Sequence, residues 1–280
     1  MTDPTPSDPT TSVLRKVMLI TGASGGIGAE LARVAALKGH NLALVARNRT
    51  ALDALADEIA RYPGRTAPRP LVFACDLAAP EAPAALERLL AEAGAEPEIL
   101  VNNAGYGLLG EAAESDLAVQ LGVIDLNIRA LTELSLRFAK PLIANRGRML
   151  NVASVAAFMP GPGMAIYYAS KAYVLSFSEA LALELAPYGV SVTALCPGPV
   201  PTGFGERAGF GDKMGFVKLA YVPAPAVAQA GYDAMMAGKR VEIPGLLTKI
   251  MVWAAALTPK SFLLKNVAAL QLRRKKEGAE

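Results

Sequence analysis

Tyr167 and Lys171 stand four apart in the run Tyr-Tyr-Ala-Ser-Lys at 167–171. Residues at that spacing share one face of a helix, so a phenol and an ammonium group can enter one cleft. Free tyrosine titrates near about pH 10 and free lysine near about 10.4. A phenol that gives or takes a proton near neutrality needs its value lowered by roughly 2–3 units, about 3–4 kcal/mol. One close cation at an effective dielectric of about 20 can supply that. A Tyr-x-x-x-Lys pair is a weak signal alone, since it falls by chance in many helices. The segments upstream decide its meaning.

The first of these is Thr-Gly-Ala-Ser-Gly-Gly-Ile-Gly at 21–28, between an apolar β-branched run and a helical one. Glycines there permit a tight turn and let the backbone approach a pyrophosphate, whose charge rests on the helix N-terminus. In open parallel sheets, ligands bind at the carboxyl ends of strands. Asp76, the run 102–105, Ser154 and Pro197-Gly198 each directly follow an expected strand. The second strand ends in Val-Ala-Arg-Asn-Arg at 45–49. An acidic residue at that point favours a free ribose 2′-hydroxyl, and arginine favours a 2′-phosphate. The acidic residue is missing and Arg47 is present, which predicts NADP(H) over NAD(H).

The elements that must position these groups follow from periodicity. Strands are expected at 17–21, 41–46, 71–75, 99–102, 148–153, 190–196 and 240–243. Between them, Ile27, Leu31 and Val34 recur at helical spacing, and further helices are expected at 50–61, 81–93 and 224–236. One long helix should carry Leu117, Leu121, Ile124, Ile128 and Leu131. Another should carry Lys171 and continue through Phe177, Leu181 and Leu185. Strands with little polar alternation are buried on both faces, and the βαβ rhythm calls for a parallel sheet covered by helices on each side. The expectation is an α/β, doubly wound Rossmann fold over residues 15–244, a disordered tail at 1–14 rich in Pro, Thr, Ser and Asp, and a helical extension at 245–280.

Composition excludes several classes. The chain has 280 residues, 52% of them hydrophobic, so a large core is easily built. A net charge of +3 is too small to argue for nucleic acid. Cys75 and Cys196 lie in separate apolar runs and read as buried free thiols of a reducing compartment. One histidine and two scattered cysteines offer no metal cluster. A Ser-His-Asp hydrolase would depend on His40, which reads as a helix-end residue, and no Gly-x-Ser-x-Gly turn is present. The first dozen residues lack a basic start and an apolar core, so no secretory signal is expected and the cytoplasm is the expected location.

Taken together, these motifs resemble the short-chain dehydrogenase/reductase family of single-domain type. The matching residues are T-G-x-x-x-G-x-G at 21–28, Asp76-Leu77, Asn-Asn-Ala-Gly at 102–105, Asn127, Ser154, Tyr167-x-x-x-Lys171, and Pro197-Gly198 with Thr202. They stand in the family's order across about residues 15–244. The resemblance implies a hydride-transferring oxidoreductase. Tyr167 would be its general acid or base, with Ser154 polarising the substrate oxygen. Lys171 would lower the Tyr167 pKa and hold the nicotinamide ribose, and Asn127 would anchor a water linking Lys171 to solvent. Gly22, Ser24, Gly26, Ile27 and Gly28 would cradle the phosphates. Asp76 and Leu77 would flank the adenine. Asn102, Asn103, Ala104 and Gly105 would line the cleft, with Pro197, Gly198, Val200 and Thr202 at the nicotinamide. Tyr168, three residues before Lys171, is the decoy. Many NADP-dependent members carry a basic residue where this chain has Gly25, so the 2′-phosphate is expected on Arg47, with Ser24 or Arg49. A cofactor-binding regulator without chemistry is the alternative. It would be expected to lack Asn127, Ser154, Tyr167 or Lys171, and all four are present. The resemblance also implies a homo-oligomer, a dimer or tetramer, paired through the helices that begin near Ser115 and Tyr167.

The substrate pocket is expected between 106–109, 158–166 and the stretch after Thr202. Phe158, Met159, Met164, Phe204, Phe210, Met214 and Phe216 make it apolar. No Arg or Lys cluster suggests a carboxylate clamp, although Arg207, Lys213 and Lys218 could serve at a rim. An apolar ketone, aldehyde, acyl-chain carbonyl or alcohol is the expected substrate. After Gly245 comes an apolar extension ending in Arg-Arg-Lys-Lys at 273–276. Lys249, Pro259, Lys260 and Lys265 interrupt it, so it offers no span of about 20 apolar residues. Two amphipathic helices are expected, covering the cleft or an interface. A peripheral membrane contact through 246–276 is the sharper reading.

Overall fold

The apolar runs of the sequence become the strands of one parallel sheet. The computed structural model describes residues 14–203, 205 and 221–278. Its strands are β1 (Arg15–Thr21), β2 (Leu42–Ala46), β3 (Leu71–Ala74), β4 (Ala95–Asn102), β5 (Arg148–Val152), β6 (Ser191–Leu195) and β7 (Val241–Glu242). They pair in the order β3-β2-β1-β4-β5-β6-β7, parallel throughout. Strand order reverses between β1 and β4, which opens a crevice at their carboxyl ends.

The helices are α1 (Gly26–Leu37), α2 (Arg49–Ala60), α3 (Ala82–Glu92), α4 (Leu117–Ile124), α5 (Leu131–Arg137), α6 (Ala139–Asn145), α7 (Ala165–Leu185), α8 (Ala224–Met236), α9 (Leu246–Leu257) and α10 (Lys260–Gly278). Successive strand residues point to opposite faces, and β1 shows the result. Met18 and Ile20 enter a core with Leu31 of α1, Leu52 of α2 and Val227 of α8. Val17 and Leu19 enter a second core with Leu86 of α3, Leu134 of α5 and Leu181 of α7. Both faces of the sheet are therefore covered, which is why its strands lack polar alternation.

Three elements differ from expectation. β4 begins at Ala95 rather than 99. The polar, proline-containing start (Ala-Glu-Pro-Glu) hides a strand that pairs with β1 through a register irregularity at Val17/Met18, the kind of place where a strand tolerates proline. The long helix expected around 117–131 is interrupted by a π-helical turn, Asp125–Ala130, which carries Asn127. Apolar spacings of three and four do not reveal such a turn, and π-turns concentrate at functional sites. β7 is two residues long. Cys75 and Cys196 are both free thiols, but only Cys196 is buried as expected; Cys75 is half-buried. His40 closes the end of α1, its Nε2 2.8 Å from the Tyr232 hydroxyl. The tail expected to be disordered lies, but for Leu14, outside the described residues. After β7 the chain forms α9, which packs on a 3-10 turn at Val155–Phe158, and then α10. No described helix is long and apolar enough to cross a membrane.

Candidate active site

Thr21 closes β1 and ties the glycine loop to the end of β4. Its hydroxyl donates to the Val101 carbonyl at 3.1 Å and accepts from the N–H groups of Asn103 and Ala104 at 2.9 and 3.0 Å. The Asn103 side chain returns the tie by donating to the Thr21 carbonyl at 2.8 Å and the Gly22 carbonyl at 3.2 Å. A Cβ on Gly22 would lie 2.9 Å from the Ala104 Cα, and its φ of 67° is left-handed, so both sterics and backbone demand glycine there. Gly28 lies beneath the loop, where a Cβ would collide with the Gly22 carbonyl and the Asn103 amide. α1 then starts behind Gly25 without a side-chain cap, so its first-turn N–H groups turn to the cleft as an anion site.

The cleft itself has a volume of about 1020 Å³ and runs across the carboxyl ends of the strands. Gly22, Ser24, Gly26 and Ile27 form its floor at the α1 N-terminus. Arg47, Asp76 and Leu77 lie at one end. Asn103, Ala104 and Gly105 form the wall after β4. Ser154, Tyr167, Lys171, Pro197, Gly198, Val200 and Thr202 surround the other end. The groove places phosphate-binding N–H groups between a cation at one end and a phenol–lysine pair at the other, and these residues fit a nicotinamide dinucleotide.

Four of the residues expected to hold the cofactor or assist the chemistry do not line the cleft. Gly28 acts from below, as described. Asn102 points into the sheet core, 2% exposed, where it donates to Ser135 Oγ at 3.0 Å and Asn151 Oδ1 at 2.9 Å. Asn127 is equally buried. Its side chain clamps the backbone of Tyr106 from both sides, accepting from the N–H at 3.1 Å and donating to the carbonyl at 2.9 Å, and it also donates to Ser170 Oγ at 3.0 Å. Asn127 thus fixes the loop after β4, and a Cβ on Gly105 would sit only 3.0 Å from its Oδ1. Arg49 is turned to Asp53 at 3.5 Å and stands outside the lining, which leaves Arg47 and Ser24.

At the reacting end Ser154 follows β5, and its Oγ accepts from the Ala156 N–H at 3.1 Å, while its hydroxyl also hydrogen-bonds the Tyr167 phenol. Lys171 is 6% exposed, and its Nζ donates to the Val152 carbonyl at 2.8 Å. That ammonium lies 5.8 Å from the centroid of the Tyr167 ring. The net shift of the Tyr167 phenol is upward, the reverse of the lowering expected from Lys171. Burial dominates and pushes the phenol up to about 12, against a smaller downward pull from the Ser154 hydrogen bond. Burial likewise takes Lys171 down to about 8. The buried thiol of Cys196, behind Lys171, is pushed up to about 12.

On the substrate side Met159, Met164, Val155 and Tyr168 line the cleft with Tyr167. Leu109 packs against Met164 and the two tyrosines. Phe158 does not join them. It turns to the small core of Leu131, Val174 and Leu175 beneath α7. Phe204, Phe210, Met214 and Phe216 and the rim cations Arg207, Lys213 and Lys218 fall outside the described residues. The sequence reading missed Asn48 and Cys75 in the wall, and it placed Tyr106 at the substrate end. Tyr106 lies near Arg47 and Asp76 instead. Their adjacency to Arg47, Asp76 and Gly105 was the available signal. Among the described residues no group of His, Cys, Asp and Glu could hold a metal.

A family model described as short chain dehydrogenase matches residues 16–209. A 3-oxoacyl-[acyl-carrier-protein] reductase from Synechocystis sp. is 31% identical over 217 residues, which are 77% of this chain and 86% of that protein. Among solved structures, a short-chain dehydrogenase from Sphingobium yanoikuyae in complex with NADPH is 37% identical, with a TM-score of 0.73 over 86% of this chain and 92% of that one. A short-chain dehydrogenase/reductase from Burkholderia phymatum in complex with NAD is 26% identical, with a TM-score of 0.74 over 87% and 94%. Similar chains hold either dinucleotide, so the choice falls to the residues after β2.

Proposed function

Because the chain belongs to the short-chain dehydrogenase family, we propose that this nicotinamide-dependent oxidoreductase uses NADP(H) on an apolar ketone, aldehyde or acyl-chain carbonyl, or on the corresponding secondary alcohol. The observation that carries the reading is the meeting of Ser154, Tyr167 and Lys171 with Met159 and Met164 at one end of the cleft, opposite Arg47. Arg47 is exposed at the mouth with no carboxylate on its own strand end, an arrangement that favours a 2′-phosphate over a free 2′-hydroxyl. The NADPH-bound relative supports the same choice. The similarity to a 3-oxoacyl carrier-protein reductase supports including acyl-chain carbonyls.

When bound, the nicotinamide supplies a hydride to a carbonyl carbon or takes one from an alcohol carbon. Ser154 donates a hydrogen bond to the substrate oxygen and fixes its position. Tyr167 gives its phenolic proton to that oxygen, so the carbonyl leaves as an alcohol and a phenolate remains. Lys171, charged and desolvated one helical turn on, stabilises that phenolate. Asn127 keeps the loop of Gly105 and Tyr106 in place against Lys171. Two copies would pair through α4 and α7; Leu117, Leu121 and Ile124 of α4 and Tyr173 and Leu183 of α7 are exposed.

The test is titration with NADPH and NADH, followed by an absorbance screen of ketones and aldehydes of rising apolar length. NADPH should bind more tightly, and turnover should track chain length. Tyr167→Phe should lower turnover by roughly 10²–10⁴ and leave NADPH binding nearly intact. Retained turnover would overturn the assignment of the acid. Tight binding by the wild-type protein with no turnover across the panel would favour a cofactor sensor.

A further inference from the structure

Between positions 243 and 276 the chain contains no Asp or Glu, yet it carries Lys249, Lys260, Lys265 and the basic run 273–276. The structure folds this stretch into α9 and α10. α9 is apolar nearly all round: its buried contacts are made by Thr248 and Val252, while Leu246, Ile250, Trp253 and Leu257 face outward. Those four recur at intervals of four, three and four, a single stripe on the helix. They are 76%, 56%, 73% and 87% exposed. A helix lying on a globular domain ordinarily presents polar residues there, and contiguous exposed apolar surface marks an interaction site. Phe262, 63% exposed at the start of α10, adds to the same extension.

We propose that this extension docks in the plane of an anionic lipid surface, with the α9 stripe seated in the headgroup–acyl boundary and the α10 cations against the headgroups. An aliphatic stripe carrying one tryptophan, followed by clustered Lys and Arg without intervening acids, is the combination that such a surface rewards. Charge separates this occupant from the other candidate, a second copy of the chain. Self-association through the extension would bring two identical sets of cations together, seven Lys and Arg on each copy between positions 249 and 276 against only Glu277 and Glu280 beyond them. Among the described side chains of the extension, Lys249 alone is neutralised by a carboxylate, that of Glu242 at 3.2 Å. No described helix is long and apolar enough to cross a bilayer, so the extension lies on the surface rather than through it. Because α9 packs on the turn that follows Ser154, the seated face adjoins the end of the cleft that holds Tyr167.

Trp253 is the only tryptophan of the chain, so its emission reports this face without labelling. The experiment adds the full-length protein to phosphatidylcholine vesicles with and without phosphatidylglycerol, and follows Trp253 emission, quenching by brominated lipid and co-sedimentation. A blue shift with quenching on the anionic vesicles alone is the expected result. Reversing Arg274 and Lys275 to Glu should weaken binding by roughly fivefold or more per cation, equivalent to about 1 kcal/mol each. Ile250→Asp with Leu257→Asp should abolish the shift while leaving the thermal unfolding midpoint in place, since both side chains are exposed. No shift and no co-sedimentation on anionic vesicles would overturn the proposal, as would equal binding to neutral vesicles. A shift that grows with protein concentration in the absence of lipid, together with a doubled mass, would assign the face to a second copy instead.

Discussion

Replacing Lys171 by methionine isolates what the buried ammonium does to stability. Burial lowers its pKa from the ordinary 10.5 to about 8. A base whose folded pKa lies below its unfolded value binds fewer protons when folded. Its penalty is therefore full below about pH 8 and is relieved as the pH rises from there toward 10.5. At about 1.4 kcal/mol per unit, the penalty near pH 7 is roughly 3 kcal/mol, and raising the pH from 7 to 9 relieves about 1.4 kcal/mol of it. Methionine keeps the unbranched chain and drops the charge, but it leaves the Val152 carbonyl without its 2.8 Å donor, a loss of about 1–3 kcal/mol. Lys171→Met should therefore be no less stable than wild type at pH 7, and more stable by up to about 2 kcal/mol. Its advantage should shrink by about 1.4 kcal/mol at pH 9. Tyr167 and Cys196, each pushed up to about 12, keep their protons in the folded state of both proteins up to pH 9, so they add nothing to the difference over this range. Urea unfolding at the two pH values measures it. Parallel stability–pH curves for the two proteins would refute the reasoning, because they would mean that Lys171 is not desolvated.

Gly107→Ala would place a Cβ 2.9 Å from Cδ2 of Tyr167 and 3.1 Å from Cε of Met164, where ordinary contact begins at 3.4 Å. The methionine tip can swing aside and the ring cannot, so turnover should fall roughly 10–100-fold by misplacement of the acid, with cofactor affinity little changed. Unaltered kcat would mean that this loop does not set the ring. Gly25 has nothing within 4 Å of a built Cβ and an extended φ of 175°. Gly25→Arg should therefore be accommodated and raise the NADPH-over-NADH ratio of kcat/KM by about tenfold, the effect of roughly 1.4 kcal/mol from one added cation. Arg47→Asp should reverse the preference, and an unchanged ratio would mean that the phosphate is read elsewhere.

Much of this architecture was legible because a buried parallel sheet writes itself as short apolar runs separated by amphipathic ones. The residues 224–236 read as a helix, and that is α8; the glycine loop, Ser154 and Tyr167 each stand where a strand or helix end was expected. What stayed hidden is side-chain direction. The motif 102–105 locates a strand end, but it does not say that Asn102 takes the inward side, toward Asn151, while Asn103 reaches across to Thr21 and Gly22. Asn127 was recognised by position, yet the π-helical turn that aims it at the Tyr106 backbone has no periodic signature. Phe158 reads as pocket wall because it is apolar and near Met159. Its actual direction depends on the 3-10 turn that it ends and on the small core of Leu131, Val174 and Leu175. The exposure of the α9 stripe was equally unreadable, since the same leucines and tryptophan would serve a buried helix.

The reacting pair sets opposite pH dependences for the two directions of the reaction. A distant phenol–ammonium attraction loses to burial here, because Lys171 Nζ is engaged by the Val152 carbonyl and Tyr167 is left to desolvation. A phenol at about 12 keeps its proton throughout the neutral range. That suits an acid which donates only as charge develops on the substrate oxygen. Lys171, at about 8, is charged below that pH and neutral above it. Carbonyl reduction should therefore be level from about pH 6 to 8 and decline beyond, as the charge that stabilises the phenolate is withdrawn. Alcohol oxidation starts from the phenolate, so its rate should climb with pH by up to about tenfold per unit while the phenol remains largely protonated. Profiles of kcat/KM in both directions, taken on one apolar substrate pair, measure this. A reduction rate that stays level well past pH 8 would remove Lys171 from the proton chemistry. An oxidation rate that falls as the pH rises would remove Tyr167.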